Sequence, residues 1–294
     1  MQDFLIHPET QLGYVHYTVR DLDTQIDFYV QTLGMQLHWR RGDSAGLGAG
    51  ADDLLRLTER REAQRFARTT GMYHFALLYP DRRELARIVA RLFDSSTPNA
   101  PTDHVISKTT YLDDPEGNTI ELYCYSLEDG SFETVDGNWV VSYADGRPST
   151  GRDPLDLQAL FSHLVEGDDL YTPMPESIQI GHVHIHGNDL AGQMHFYNEI
   201  LGFKRGNFAD KIGFADVELE RPHVIAWNTW VGAGAEAPPD NSLGIRYYTI
   251  FQPNQQALDS IRGRLDEAEW AYEELDEQLR LADPAGVRLR IGLQ

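Results

Sequence analysis

Apolar and polar positions along the chain switch between two periods. Runs in which alternate side chains are apolar predict strands, and runs with apolar residues three and four apart predict helices. The switch recurs in a fixed order. "LGYVHYTVRDLDTQIDFYVQTLGM" from Leu12 and "IGHVHIHGNDLAGQMHFYNEILGF" from Ile180 align without a gap. They share Gly13/Gly181, Val15/Val183, His16/His184, Asp21/Asp189, Leu22/Leu190, Phe28/Phe196, Tyr29/Tyr197, Leu33/Leu201 and Gly34/Gly202. Each reads as a strand, an Asp that caps a helix, an amphipathic helix, and a Gly that ends it. A second pair, "GMYHFALLYPDRRELARIVARL" from Gly71 and "GIRYYTIFQPNQQALDSIRGRL" from Gly244, shares Pro80/Pro253, Leu85/Leu258, Ile88/Ile261 and Leu92/Leu265. That spacing lays one apolar stripe along each helix. Further on, "DPEGNTIELY" is echoed by "DPAGVRLRIG".

The chain therefore reads as four units, each a strand, a helix and then several strands. They group as two halves, 8–130 and 178–294, joined by a turn-rich linker, 131–177, with one short helix expected over Leu155–Leu164. Within the first half, Asp114-Pro115-Glu116-Gly117 is turn chemistry. It joins expected strands Val105–Leu112 and Asn118–Tyr125. On the second of these, Glu121 shares a face with Thr119 and Tyr123, opposite Ile120 and Leu122. A half-exposed strand would place such a carboxylate in water; a buried one would need a partner.

Composition narrows the function classes. The 294 residues carry a formal net charge of −21, with 41% hydrophobic and 24% charged residues. So acidic a chain repels phosphate backbones and anionic lipid, which argues against nucleic-acid and membrane-surface partners. The single cysteine, Cys124, permits no internal disulfide, fits a reducing compartment, and sits in an apolar strand where a core role is expected. The N-terminus has no signal pattern and no apolar run reaches membrane-spanning length, so a cytoplasmic protein is expected. No Gly-rich phosphate loop, serine elbow or CxxC pair offers a competing chemistry.

Four such units in two halves, each half opening "G-x-V-H-x-x-x-x-D-L…FY…LG", resemble the vicinal oxygen chelate superfamily. The resemblance implies an α+β fold of four βαβββ modules, paired into two domains whose curved mixed sheets form metal cups. The stretch "DHVISKTTYLDDPEGNTIELY" also resembles the extradiol dioxygenase signature. Thr102, His104, Tyr111, Asp114, Pro115, Gly117 and Glu121 fill it, and Thr110 departs from it where an aliphatic residue is usual. The resemblance implies a ring-cleaving reaction on a small aromatic diol of the catechol type with O2 at a non-haem Fe(II), with Mn(II) conceivable, in a homo-oligomer.

By this resemblance His74 and Glu121 are metal ligands, His104 handles a proton, and Tyr111 hydrogen-bonds the substrate oxygen. His16 is expected as the first histidine ligand, although the ligand position can fall at Tyr14, which faces the same way. The second half carries Tyr247 and Arg290 where His74 and Glu121 stand, so no complete triad forms there at those positions. Its His182, His184, His186 and His223 could supply a ligand if the units pair differently. In the first unit Arg56 aligns with Glu121, where a metal-dependent isomerase such as glyoxalase I would have a second carboxylate. The remaining alternatives are a lyase or isomerase on the same scaffold and a metal-free binding protein.

Overall fold

A computed structural model describes residues 4–294. It contains the four expected repeats as β-α-β-β-β modules. In the first, strand Gln11–Val19 precedes helix Leu22–Gln31 and strands Gln36–Arg41, Ser44–Ala49 and Asp52–Glu59. In the second, Gly71–Leu78 precedes helix Arg82–Asp94 and strands Ala100–Asp103, Ser107–Asp113 and Thr119–Tyr125. The third runs Gln179–His186, helix Leu190–Met194 continuing as a π-helical turn His195–Ile200, then Lys204–Ala209, Phe214–Glu218 and Ile225–Asn228. The fourth runs Gly244–Gln252, helix Gln255–Glu267, then Tyr272–Leu275, Gln278–Ala282 and Arg288–Leu293. Among the described residues no helix is long and apolar enough to cross a membrane.

The helices begin where a short polar side chain can satisfy the free amides of the first turn. Asp21 accepts from Thr24 N, Asp81 from Glu84 N, Asp189 from Ala191 N and Asn254 from Ala257 N. The predicted stripes are the packed ones: Leu85, Ile88 and Leu92 on one helix and Leu258, Ile261 and Leu265 on its counterpart are buried. Each such side chain contributes about 1.5–3 kcal/mol by leaving water.

The modules pair differently from the expected halves. Strand Gln11–Val19 of the first module lies antiparallel to Gly244–Gln252 of the fourth, with His16 opposite Tyr247. The strand order continues this pattern: the eight-stranded sheet combines the first and fourth modules, and the nine-stranded sheet the second and third. Grouping 8–130 against 178–294 paired the first module with the second instead. The periodicity within a module specifies its own strands but not which edge it offers to another.

By contacts the chain forms two compact units. One comprises the segment ending at Thr18, Glu62–Tyr73 and His182–Gln294; the other comprises Val19–Arg61 and His74–Gly181. The second unit includes the 131–177 segment, which is not a bare linker. Strands Gly130–Val135, Asn138–Tyr143 and Pro148–Ser149 make a separate three-stranded sheet. Asp153–Pro154 then adds to the edge of Ala100–Asp103. The short helix spans Leu157–Phe161 and packs on helix Arg82–Asp94, with Phe161 edge-on to Phe93. Cys124 is buried, and burial pushes its thiol up to about 12, so it is a core residue with no thiolate at neutral pH.

The two "DP-x-G" turns are built alike around a buried aspartate. Asp114 accepts from Glu116 N, Asn118 N, Asn118 Nδ2 and Tyr29 Oη, while Gly117 takes the left-handed φ of 77° that closes the turn. In the same turn Glu116 reaches back to accept from the amides of Arg20 and Asp21 at the start of the first helix.

Asp283 does the equivalent in the fourth module, accepting from Ala285 N, Val287 N, Gln193 Nε2 and Tyr197 Oη. Burial outweighs these donors and pushes its pKa up to about 6 from 3.8. Between those values the folded state binds more protons than the unfolded one, so this group's contribution is present below about pH 4 and lost as pH rises through 6. In urea titrations the stability of the wild type relative to Asp283→Asn should fall by about 3 kcal/mol between pH 4 and pH 7. A flat difference would refute the shift.

Candidate metal centre

The parallel strands Gly71–Leu78 and Thr119–Tyr125 bring two buried polar side chains together. Their register sets His74 beside Thr119 and Ala76 beside Glu121. His74 Nε2 lies 3.0 Å from Glu121 Oε2, with each side chain 4% exposed. Glu121 therefore faces the interior, not solvent. A carboxylate held this deep is expensive unless a partner or a cation neutralises it.

Among the described residues, one set of potential ligands converges: His74, Glu121 and His182, whose donor atoms all lie within 4.8 Å of one another and which are all buried. His182 was one of the alternatives left open by the sequence, and it is the repeat counterpart of Tyr14. His16 lies outside this set, on strand Gln11–Val19, its ring centroid 4.9 Å from that of Tyr247. Tyr14, the other position considered, is buried with its hydroxyl 3.4 Å from that of Tyr247. The pairing of the modules explains the exchange: the opening strand of the first module belongs to the other sheet.

His184 shares the face of His182 but is engaged by Asn228, whose Nδ2 lies 2.8 Å from His184 Nε2. His186 Nδ1 lies 3.0 Å from Asn228 Oδ1. Close beside His182 is His223, ring centroids 4.5 Å apart. His223 holds a left-handed φ of 57°, which a non-glycine residue adopts only when its surroundings enforce it. Its Nδ1 lies 2.8 Å from Oδ2 of the deeply buried Asp216, and Asp216 Oδ1 accepts from Asn207 N at 2.6 Å. Sequence reasoning gave Asp216 no role, because a lone Asp on a strand carries no local signal of the histidine it will meet.

His104 and Tyr111, both in the signature stretch, are brought together. His104 Nε2 lies 2.8 Å from Tyr111 Oη, and Tyr111 is the cross-strand neighbour of Glu121. The ring of Tyr111 lies 5.5 Å from that of His74. Strand Ser107–Asp113 begins later than expected because 103–106 form a tight turn. There Asp103 Oδ1 accepts from Val105 N, Ser107 O accepts from His104 N, and Val105 takes a φ of 68°. A β-branched residue in that conformation is strained, and the turn is held by Lys108, which bridges Asp103 and Asp129.

On its other side, His104 Nδ1 is hydrogen-bonded to the Gly151 carbonyl, supplied by the 131–177 segment. A carbonyl only accepts, so Nδ1 carries the proton and, in the neutral ring, Nε2 accepts from the Tyr111 hydroxyl. Among the nearby aromatics, Phe75 and Tyr123 are core residues. Tyr73 is half-buried and packs against the rings of His184, His186 and Trp230.

A model of the Glyoxalase/Bleomycin resistance protein/Dioxygenase superfamily matches residues 11–122. The chain is 34% identical over 283 residues to a catechol-2,3-dioxygenase of Bacillus subtilis, covering 95% of each protein. Among solved structures, a Bacillus subtilis putative dioxygenase superposes with a TM-score of 0.61 at 11% identity, over 96% of this chain and 84% of that one. Glyoxalase I from Zea mays superposes at 0.57 with 16% identity, over 96% and 92%. At these identities the two structures speak to the fold alone.

Proposed function

Because the chain belongs to the glyoxalase/bleomycin resistance protein/dioxygenase superfamily, we propose that it is an extradiol dioxygenase, opening a catechol-type ring with O2. The observation that carries this reading is the convergence of His74, Glu121 and His182. Two imidazoles and one carboxylate are the donor set of non-haem Fe(II) oxygenases, which bind the metal on one face and leave the opposite positions open. The residues fit such an ion: all three are buried, and a divalent charge would offset the desolvated Glu121. Fe(II) is the proposed metal, with Mn(II) as the alternative. When bound, the ion supplies the path for electrons between diol and O2.

The chain's own residues position the substrate and manage protons. The Tyr111 hydroxyl donates to His104 Nε2, so its oxygen lone pairs are turned to accept from a diol hydroxyl beside Glu121. A proton passing from the diol to Tyr111 moves Tyr111's own proton to His104, and the Gly151 carbonyl steadies the imidazolium that results. His223, oriented by Asp216, offers a second acid–base group beside His182, suited to returning a proton during ring opening. Tyr73 supplies an aromatic wall next to His184.

Anaerobic loading with iron followed by catechol and air should give the yellow ring-opened semialdehyde. Iron-loaded protein inert to every catechol tried would favour a lyase or isomerase on this scaffold. Tyr111→Phe removes the relay but no ligand. It should keep the iron content and lower kcat by about 10²–10⁴, measured by stopped-flow product formation. Unchanged kcat would remove Tyr111 from the proton path.

A further inference from the structure

The fourth module repeats the architecture of the second with its chemistry inverted. In the second, Tyr111 and Glu121 are cross-strand neighbours and Glu121 sits beside Ala76 of the opening strand. In the fourth the same places hold Arg280 opposite Arg290, with Arg290 beside Thr249. Tyr247 stands where His74 does. Arg246 and Arg288 join them around a cavity of about 440 Å³, with Glu273 also on its wall.

Four guanidiniums around one cavity are conspicuous in a chain of net charge −21. Like charges directly opposite on adjacent strands are destabilising. Arg288 is paired with Asp240, and Arg280 with Asp276, but Arg280 Nε is buried with no hydrogen-bond partner. Arg290 makes no ion pair among the described residues; its guanidinium lies 3.6 Å over the Tyr247 ring. That contact presents the planar fork without consuming its donors.

We infer that this cavity is a binding site for a small oxyanion, the carboxylate or phosphate of a compact molecule, held by Arg280 and Arg290 over the Tyr247 ring. A planar guanidinium pairs with either group through two parallel hydrogen bonds. The volume suits a small ligand. The bound anion also removes the repulsion between the facing arginines, so it stabilises the fold. The site does not depend on the proposed ring-cleavage chemistry, since none of its residues is assigned there.

Titration calorimetry and thermal shift at low ionic strength test it on the iron-loaded protein, with inorganic phosphate and benzoate as separate probes. The expected result is saturable binding of at least one probe and a rise in Tm, with the stronger probe distinguishing a phosphate site from a carboxylate site. Arg290→Gln and Arg280→Gln should each weaken that binding at least about tenfold without lowering the unliganded Tm, because each removes a like-charge contact. Glu121→Gln, compared metal-free with metal-free wild type, should leave it unchanged. No saturable binding of either probe, retained affinity in both arginine variants, or loss of binding in Glu121→Gln would overturn the assignment.

Discussion

Replacing Glu121 with glutamine should lower ring cleavage at least about a thousandfold, which corresponds to about 4 kcal/mol of transition-state stabilisation. The substitution keeps the side chain's shape and leaves an acceptor oxygen for His74 Nε2, 3.0 Å away. It removes the one formal negative charge among the three converging side chains. Metal affinity should fall with it, since a neutral amide oxygen is a far weaker ligand than a carboxylate. The fold should not suffer: without a metal the wild type must bury that charge, so the melting temperature of metal-free Glu121→Gln should equal or exceed that of metal-free wild type. Activity assays beside calorimetry of the metal-free proteins check both halves. Full activity in Glu121→Gln, or a large loss of stability, would recast Glu121 as a structural partner of His74.

The second large effect separates two histidines that the sequence does not. His182→Ala should strip iron from the purified protein and lower activity by at least about a thousandfold, because two ligands seldom hold a divalent ion against dilution. His16→Ala should retain stoichiometric iron and most activity, while losing the packing of its ring on Tyr247, worth about 1 kcal/mol. Metal content after gel filtration, measured beside activity, decides between them. Iron lost from His16→Ala and kept in His182→Ala would return the first ligand to the amino-terminal strand.

The four-module pattern is legible in the sequence because it rests on local physics. Alternation, the Asp21 and Asp189 caps and the Leu85-Ile88-Leu92 stripe each need only a few consecutive residues. The hairpin closed by the Asp114 turn was likewise legible from its turn residues, and its register sets Tyr111 across from Glu121.

What the sequence leaves open depends on contacts far along the chain. The opening strands are alike only in pairs, the first with the third and the second with the fourth, and nothing local says that Gln11–Val19 takes Gly244–Gln252 as its neighbour. Nor does local pattern say which opening strand supplies a ligand: His16 was the expected histidine, whereas the converging set holds His182, the repeat counterpart of Tyr14. The Gly151 carbonyl on His104 comes from a segment that reads only as turns, and the left-handed backbone of Val105 runs against every local preference for valine. The inverted charge of the fourth module was partly visible as Arg290 in the place of Glu121. Its facing partner Arg280 needs the strand register to be seen.

Anomalous diffraction at the iron edge from anaerobically loaded crystals bears most directly on the proposed centre. The account predicts one strong peak bonded to His74, Glu121 and His182. A peak bonded instead to His16, or density showing Glu121 turned away from the metal, would contradict it.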